Sequence, residues 1–262
     1  MQTRYAQEIA KIKKKDGIVA ICVFFGFLLL SNGFPLLMGM IPMSNIVRTR
    51  LLLVWLALLA VFVCIIVKAR KQKLSSIGFH KENLGKGIGV ALLFSLIPIT
   101  FTAIIPGMLH GFFELDLGWL MLTLISTFIF AAHEDVIFVG FIQTRLYGFF
   151  KTHFVAILVG SLFFAFVHLP PWIYMGRLDV NQPLEILFQF VRWSAMHFVM
   201  VAIFRKYHSI VPVFIFHTIN NLSNVFSYSD MTLANIAIIV KVLAACFLYW
   251  QTHKADKKAL SQ

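Results

Sequence analysis

The chain has 262 residues, of which 60% are hydrophobic and only 13% are charged, and its formal net charge is +12. A soluble domain carries about 25% charged residues, so the composition excludes an ordinary soluble protein and predicts an all-α polytopic transmembrane helical bundle. The basic residues lie in short clusters between apolar runs, which is how topology signals are arranged and which argues against nucleic acid as a partner.

Eight apolar runs are predicted to be membrane spans, about at residues 17–40, 51–68, 87–109, 119–142, 154–169, 184–204, 209–227 and 232–250. The first run is longer than the apolar region of a signal peptide and lacks a small-residue cleavage site, so we interpret it as an uncleaved span. The fifth and seventh runs are short for a bilayer. We expect them to be buried in the bundle or flanked by half-inserted loops.

Lysine and arginine predict the orientation of the bundle. With the amino terminus inside, eighteen of the 23 basic residues lie on the inner side, and only Arg48, Arg50 and Arg177 lie in outer loops. The positive-inside rule therefore predicts a multi-pass protein of the cell membrane with both termini cytoplasmic. The basic loop at 68–86 is interpreted as a topology signal, and binding of anionic membrane lipid there is the alternative.

We divide the chain into three parts by these runs. Residues 1–84 hold the amino-terminal spans and the basic cytoplasmic loop, residues 85–228 form the core, and residues 229–262 form the last span and a cytoplasmic tail. Nothing in the sequence indicates the oligomeric state.

Glu134 and Asp135 are adjacent acids in the middle of the fourth apolar run. An ionised carboxylate at the bilayer centre costs about 2.5–3.5 kcal/mol, so two side by side need partners or a water-filled cavity. Consecutive helical residues point about 100° apart. We therefore expect one acid to line a cavity and the other to bond a neighbouring helix.

Three later spans also carry polar side chains, namely His168, then Arg192 and His197, then His217, Asn220, Asn221 and Asn224. A rise of 1.5 Å per residue places Glu134, His168 and His217 at comparable depths, roughly 12–20 Å from the cytoplasmic ends of their spans. His217 and Asn221 share one helix face. The sequence thus predicts that these side chains meet, and that prolines 170 and 171 end the fifth helix just after His168.

The chemistry of this group is that of a hydrolase. A carboxylate beside an imidazole can hold and deprotonate a water, and an imidazole with an amide on one face can stabilise an oxyanion. Together they predict a peptide hydrolase that needs no covalent nucleophile.

These residues resemble a known family, the type II CAAX prenyl endopeptidase and bacteriocin-processing (Abi, or CPBP) family of intramembrane proteases. The family pattern is E-E-x-x-x-R, then F-x-x-x-H, then H-x-x-x-N or D. This chain reads EDVIFV from Glu134 to Val139, FAFVH from Phe164 to His168 and HTINN from His217 to Asn221. The resemblance covers roughly residues 85–225, and the eight-span layout is also similar to the family.

The resemblance implies an intramembrane glutamic endopeptidase. It implies Glu134 as base, His168 as its partner, and His217 with Asn221 as oxyanion stabilisers, with Phe164 in a supporting position. The substrate would be a peptide or small protein near the membrane, such as a peptide precursor, a bacteriocin leader or a lipidated tail.

The chain departs from the family pattern in two places. The second acid is Asp135, and Val139 stands where the pattern has arginine. In the pattern these two residues form an i, i+4 ion pair, so the departure concerns a structural pair more than the reaction. Because Arg192 is an intramembrane cation without an acid at i±3 or i±4, we predict that it contacts Asp135 in place of the missing arginine.

Other functions stay open at this stage. A non-catalytic immunity or scaffold protein of the same fold would keep the polar group as a structural network, and a proton-coupled transporter would use Glu134 and Asp135. A zinc protease is the neighbouring hypothesis, because two histidines and a carboxylate can ligate zinc. The H-E-x-x-H motif is absent, and we expect neither a metal nor a cofactor.

Overall fold

The computed structural model describes residues 4–42, 44–111, 116–150, 152–225 and 231–260. Within this part of the chain the regular secondary structure is entirely helical. The helices are α1 (Arg4–Ile9), α2 (Lys14–Met40), α3 (Asn45–Ala69), α4 (Leu84–Pro98), α5 (Ile105–His110), α6 (Leu117–Glu134), α7 (Thr144–Phe149), α8 (His153–Tyr174), α9 (Pro183–Tyr207), α10 (Val211–Val225) and α11 (Met231–Leu260).

Seven helical stretches of the described chain are long and apolar enough to cross a membrane, namely Lys14–Met40, Ile46–Ala69, Leu84–His110, Leu117–Phe149, His153–Tyr174, Pro183–Tyr207 and Thr232–Lys254. The predicted polytopic helical bundle is therefore confirmed. Helix α10 corresponds to the short seventh run, and its 15 residues extend only about 22 Å. It packs chiefly against α4 and α6, inside the bundle, as its length required.

The fourth span changes its helix type at the acidic pair. Residues Leu117–Glu134 are α-helical, Asp135–Gln143 form a π-helix, and Thr144–Phe149 return to the α-helix. All nine residues of the π-helix are buried, and they contact α2, α3, α8 and α9. The span thus continues seven residues beyond its predicted end, and its irregular part forms the centre of the bundle. Short π-helical segments of this kind occur frequently at functional sites.

The prediction that two prolines end the fifth span was wrong. Helix α8 continues through Pro170 and Pro171 to Tyr174. The Trp172 ring in the last turn lies edge-on to Trp193 of α9 at 5.1 Å between centroids. The helix end is closed by a local backbone bond, in which the Trp172 carbonyl accepts the Arg177 N–H at 2.8 Å. Neighbouring helices can stabilise proline-containing turns within membranes.

A buried polar cluster fixes the loop after α3 to the end of the fourth span. The Arg145 guanidinium, which is 1% exposed, donates to Gln72 Oε1 at 2.7 Å and to Ser76 Oγ at 2.8 Å. Asp16, near the start of α2, accepts from Arg70 at 2.7 Å and from Gln72 at 3.1 Å. These bonds tie α2, α3 and α7 together at one end of the bundle.

The start of α10 is anchored to the same loop. The Ile210 N–H donates to the Gly78 carbonyl at 3.1 Å, and His80 Nε2 donates a hydrogen bond to the His208 carbonyl. Gly78 has φ +92°, and a Cβ there would lie 2.5 Å from the Phe204 ring, so the position requires glycine. The anchor sets where α10, which carries His217, enters the bundle.

Candidate active site

The Glu134 carboxylate is the centre of the site. It is the last residue of α6 before the π-helix. His168 Nε2 of α8 lies 3.6 Å from Glu134 Oε1, and His217 Nε2 of α10 lies 3.7 Å from Glu134 Oε2. Three separate helices therefore bring an acid and two imidazoles together, as the depths of these residues along their spans predict.

The two adjacent acids face different surroundings. The Glu134 side chain is 17% exposed, whereas Asp135 is fully buried. Asp135 Oδ1 lies 3.0 Å from His217 Nδ1, a hydrogen bond between the fourth span and α10. Asp135 thus bonds a neighbouring helix, as expected for one of the two acids, and Glu134 keeps the more exposed side chain.

The predicted contact between Asp135 and Arg192 was wrong. The one side-chain partner that the described structure gives Asp135 is His217, and Asp135 Oδ2 has no hydrogen-bond partner there. Arg192 donates instead to Gln189 Oε1, 3.3 Å away on its own helix. Which group meets Asp135 depends on how α9 and α10 are rotated about their axes, and the sequence pattern does not determine this rotation.

The His168 ring is held in one orientation. Its Nδ1 lies 2.7 Å from the Phe164 carbonyl, so Nδ1 carries the proton and donates to that oxygen. The ring also stacks on Trp193 at 5.1 Å between centroids. Nε2 is therefore the atom that His168 presents to Glu134.

The Phe164 ring packs against three imidazoles, those of His168, His197 and His217. Its ring centroid lies 4.5 Å from that of His168, 5.3 Å from that of His197 and 6.3 Å from that of His217. Phe138 of the π-helix closes its other side at 5.4 Å. Phe164, one turn before His168, thus supports the imidazoles by ring contacts and holds His168 through its carbonyl.

Asn221 lies on α10 one turn beyond His217, so the two side chains share a helix face. The Asn221 side chain is partly exposed, which leaves its amide accessible to a bound molecule. Asn224 was grouped with these residues in the sequence, and its side chain lies outside the described part of the structure.

Two further histidines have partners outside this centre. His133 Nδ1 lies 3.3 Å from the Ile129 carbonyl of its own helix. His197 Nδ1 lies 3.2 Å from Ser161 Oγ. Both histidines pack beside the site.

Sequence reasoning gave no part to Lys241, although it is a cation in the middle of the last apolar run. Its Nζ donates to Asn220 Oδ1 at 2.7 Å, and both side chains are buried. The signal that could have found it is the same one that indicated Glu134, a charge at mid-span. The sequence alone does not show that it reaches α10.

Among the described residues, no group of three or more histidine, cysteine, aspartate or glutamate side chains is arranged to hold a metal ion.

Comparison with known proteins gives one match to a family, over part of the chain. Residues 116–223 match the sequence model of the family described as type II CAAX prenyl endopeptidase Rce1-like. All three motifs lie within this segment, and the match confirms the predicted resemblance. No curated protein and no solved structure was found to match the chain.

Proposed function

We propose that this chain, a multi-pass membrane protein with a type II CAAX endopeptidase-like segment, is an intramembrane endopeptidase that hydrolyses a peptide bond near the membrane. The observation that carries the proposal is the convergence of His168 and His217 on the two oxygens of Glu134, at 3.6 and 3.7 Å. The substrate class we propose is a peptide or small protein, such as a peptide precursor, a bacteriocin leader or a lipidated tail.

Activation of water follows from the hydrogen-bonding state of His168. With Nδ1–H donating to the Phe164 carbonyl, the neutral His168 ring has Nε2 as its acceptor. The Glu134 carboxylate is a second acceptor 3.6 Å away. A water between them donates one proton to each, and its lone pair then points away from both, toward the substrate.

Hydrolysis then needs one base and no covalent intermediate. Glu134 takes a proton as the water oxygen bonds to the carbonyl carbon, and the carbonyl electron pair moves to the substrate oxygen. The tetrahedral intermediate collapses with cleavage of the C–N bond, and the leaving amine receives the proton from Glu134. The products are a carboxylic acid and an amine.

His217 and Asn221 stabilise the oxyanion in this proposal. His217 donates from Nδ1 to Asp135, so a proton on Nε2 as well makes it an imidazolium between two carboxylates. Its Nε2–H and the Asn221 amide, on the same face of α10, are the donors for the substrate oxygen. Asp135 thereby gains a part in the reaction, because it orients His217 and stabilises its charge.

Replacing Asp135 tests whether this carboxylate stabilises the charge of His217 during the reaction. Asp135→Asn keeps the shape of the side chain but removes the charge that stabilises the imidazolium. We expect kcat to fall on the order of tenfold to a hundredfold, with KM little changed. Steady-state kinetics with a cleaved peptide provide the measurement, and Asp179→Asn, at an exposed acid of a loop, is the matched control. Unchanged kcat with lowered thermal stability would assign Asp135 a structural part only.

The test of the function itself is peptide cleavage. Purified protein in liposomes is incubated with candidate membrane-associated peptides, and new termini are identified by mass spectrometry. Wild type is expected to produce them and Glu134→Gln is not. A non-catalytic immunity or scaffold protein would bind a peptide without cutting it, and a proton-coupled transporter would show uptake driven by a proton gradient.

We further propose that both termini are cytoplasmic, as the distribution of lysine and arginine predicts. We also propose that the region where α2 begins and α3 ends binds an anionic membrane lipid. A cavity of about 430 Å³ lies between the start of α2 and the end of α3, lined by Lys11, Lys13, Lys15, Asp16, Ala69, Arg70, Lys71 and Gln72. Clusters of basic residues at the cytoplasmic end of spans attract anionic headgroups.

Lys71 provides the test of lipid binding. It has φ +57°, a conformation that glycine adopts more easily, so Lys71→Gly is expected to preserve or raise thermal stability. Loss of one cation is expected to weaken phosphatidylglycerol binding about fivefold, measured by native mass spectrometry against phosphatidylcholine. Lys81→Gln, at an exposed position of the same basic loop, is the control. Equal lipid retention in all three proteins would leave the cluster as a topology signal.

A further inference from the structure

Lys241 is a lysine in the middle of a membrane span. It lies in Thr232–Lys254 of α11, nine residues from one end, or about 13 Å at the helical rise. Its side chain is only 5% exposed. A lysine at the centre of a span costs about 2.5–3.5 kcal/mol, and such residues normally face the bundle interior and have a function.

The partner of Lys241 is next to the proposed oxyanion residue. Lys241 Nζ donates to Asn220 Oδ1 at 2.7 Å, and Asn220 immediately precedes Asn221. Consecutive residues of a helix point about 100° apart. With Asn220 held toward Lys241 of α11, the neighbouring face of α10, which carries Asn221 and His217, is held in one rotation about the helix axis.

The Lys241–Asn220 hydrogen bond joins α11 to α10, two helices that pack chiefly against other helices. Helix α10 packs chiefly on α4 and α6, whereas α11 packs chiefly on α9. A long side chain from α11 therefore reaches α10 near its carboxyl end, beyond the loop anchor at Ile210.

We propose that Lys241 is a positioning residue for the oxyanion donors: through Asn220 it sets the rotation of α10 that directs His217 and Asn221 at the substrate carbonyl oxygen. The inference rests on the proposed endopeptidase function and extends it, since Lys241 lies outside the segment that matches the family. It explains why a costly mid-membrane charge is kept where an apolar side chain would suffice for packing.

The first experiment distinguishes the proposed positioning role of Lys241 from a purely structural role. Lys241→Met keeps the length of the side chain but removes its charge and its donors. We expect unchanged or higher thermal stability in detergent, because a buried intramembrane charge is lost, with kcat lowered about tenfold to a hundredfold by misdirected donors and KM little changed. Lys241→Arg keeps the donor and is expected to retain most of the turnover. Leu243→Met, on the exposed side of the same helix, should change neither quantity.

A double-mutant cycle tests the pathway through Asn220. Asn220→Ala removes the acceptor and is expected to lower kcat as Lys241→Met does. If Lys241 and Asn220 act through one hydrogen bond, the double variant has the kcat of the less active single variant, and the two losses of kcat do not multiply. Multiplicative losses, unchanged kcat in Lys241→Met, or parallel losses of kcat and stability in Lys241→Met would each overturn the inference.

The outcomes also separate this inference from the proposed function. Full cleavage by Glu134→Gln would defeat the function, whereas an inactive Glu134→Gln beside a fully active Lys241→Met would defeat only the inference. Hydrogen–deuterium exchange supplies a readout without substrate. The amides of α10 around His217 and Asn221 should exchange faster in Lys241→Met than in Leu243→Met, and equal exchange would contradict the proposed positioning.

Discussion

Glu134→Gln is expected to lower peptide-bond hydrolysis by at least about a hundredfold, the contribution of a general base. The amide keeps the shape of the carboxylate and its place near His168 and His217, but it cannot accept the proton of the attacking water. Membrane expression should stay normal, because a neutral amide is less costly in the bundle than a carboxylate. Initial rates of the purified variant in liposomes, with one peptide at several concentrations, give the measurement.

The matched control is Glu185→Gln, at an exposed acid in the first turn of α9, which should keep the wild-type rate. Near-native turnover of Glu134→Gln would remove Glu134 from the mechanism. A strong chelator is added in parallel. We expect activity to persist in it, and complete loss that zinc restores would favour the metalloprotease hypothesis instead.

Loss of an oxyanion donor is expected to have the second large effect. His217→Ala or Asn221→Ala should each lower turnover by roughly 10²–10³-fold, the scale for one such donor. The two variants should differ in stability. His217→Ala removes the hydrogen-bond partner of the fully buried Asp135, so it should also lower the melting temperature, whereas the partly exposed Asn221 should not.

Separate determination of kcat and KM, together with thermal melting in detergent, distinguishes these effects. His253→Ala, at an exposed histidine of α11, controls for the loss of an imidazole as such. If either variant raises KM at unchanged kcat, the residue binds substrate and does not stabilise the transition state. That result would move the chain toward a peptide-binding immunity or scaffold protein.

The departures from the family pattern take on a different meaning in the folded protein. Val139, which stands where the pattern has arginine, is fully buried among apolar side chains. Asp135 Oδ1 has His217 as its partner, and Asp135 Oδ2 has none in the described structure. The second acid therefore belongs with the proposed oxyanion donors.

The sequence by itself determined the membrane class, the approximate spans and the meeting of Glu134, His168 and His217. Each of these depends on one segment at a time. The length and hydropathy of an apolar run decide whether it crosses a bilayer, and the helical rise converts residue number into depth. Polar side chains at the same depth in three spans avoid contact with lipid by facing one another in the bundle interior.

The tertiary structure alone decided the partners. Four features depend on how the helices pack and are rotated against one another. They are the π-helix at Asp135–Gln143, the continuation of α8 through two prolines, the pairing of Asp135 with His217 and the hydrogen bond from Lys241 to Asn220. Depth follows from a single chain segment, but rotation follows from the packing of several helices at once. For that reason the sequence pattern indicated which polar residues meet, and only the folded bundle showed which atom of each faces the other.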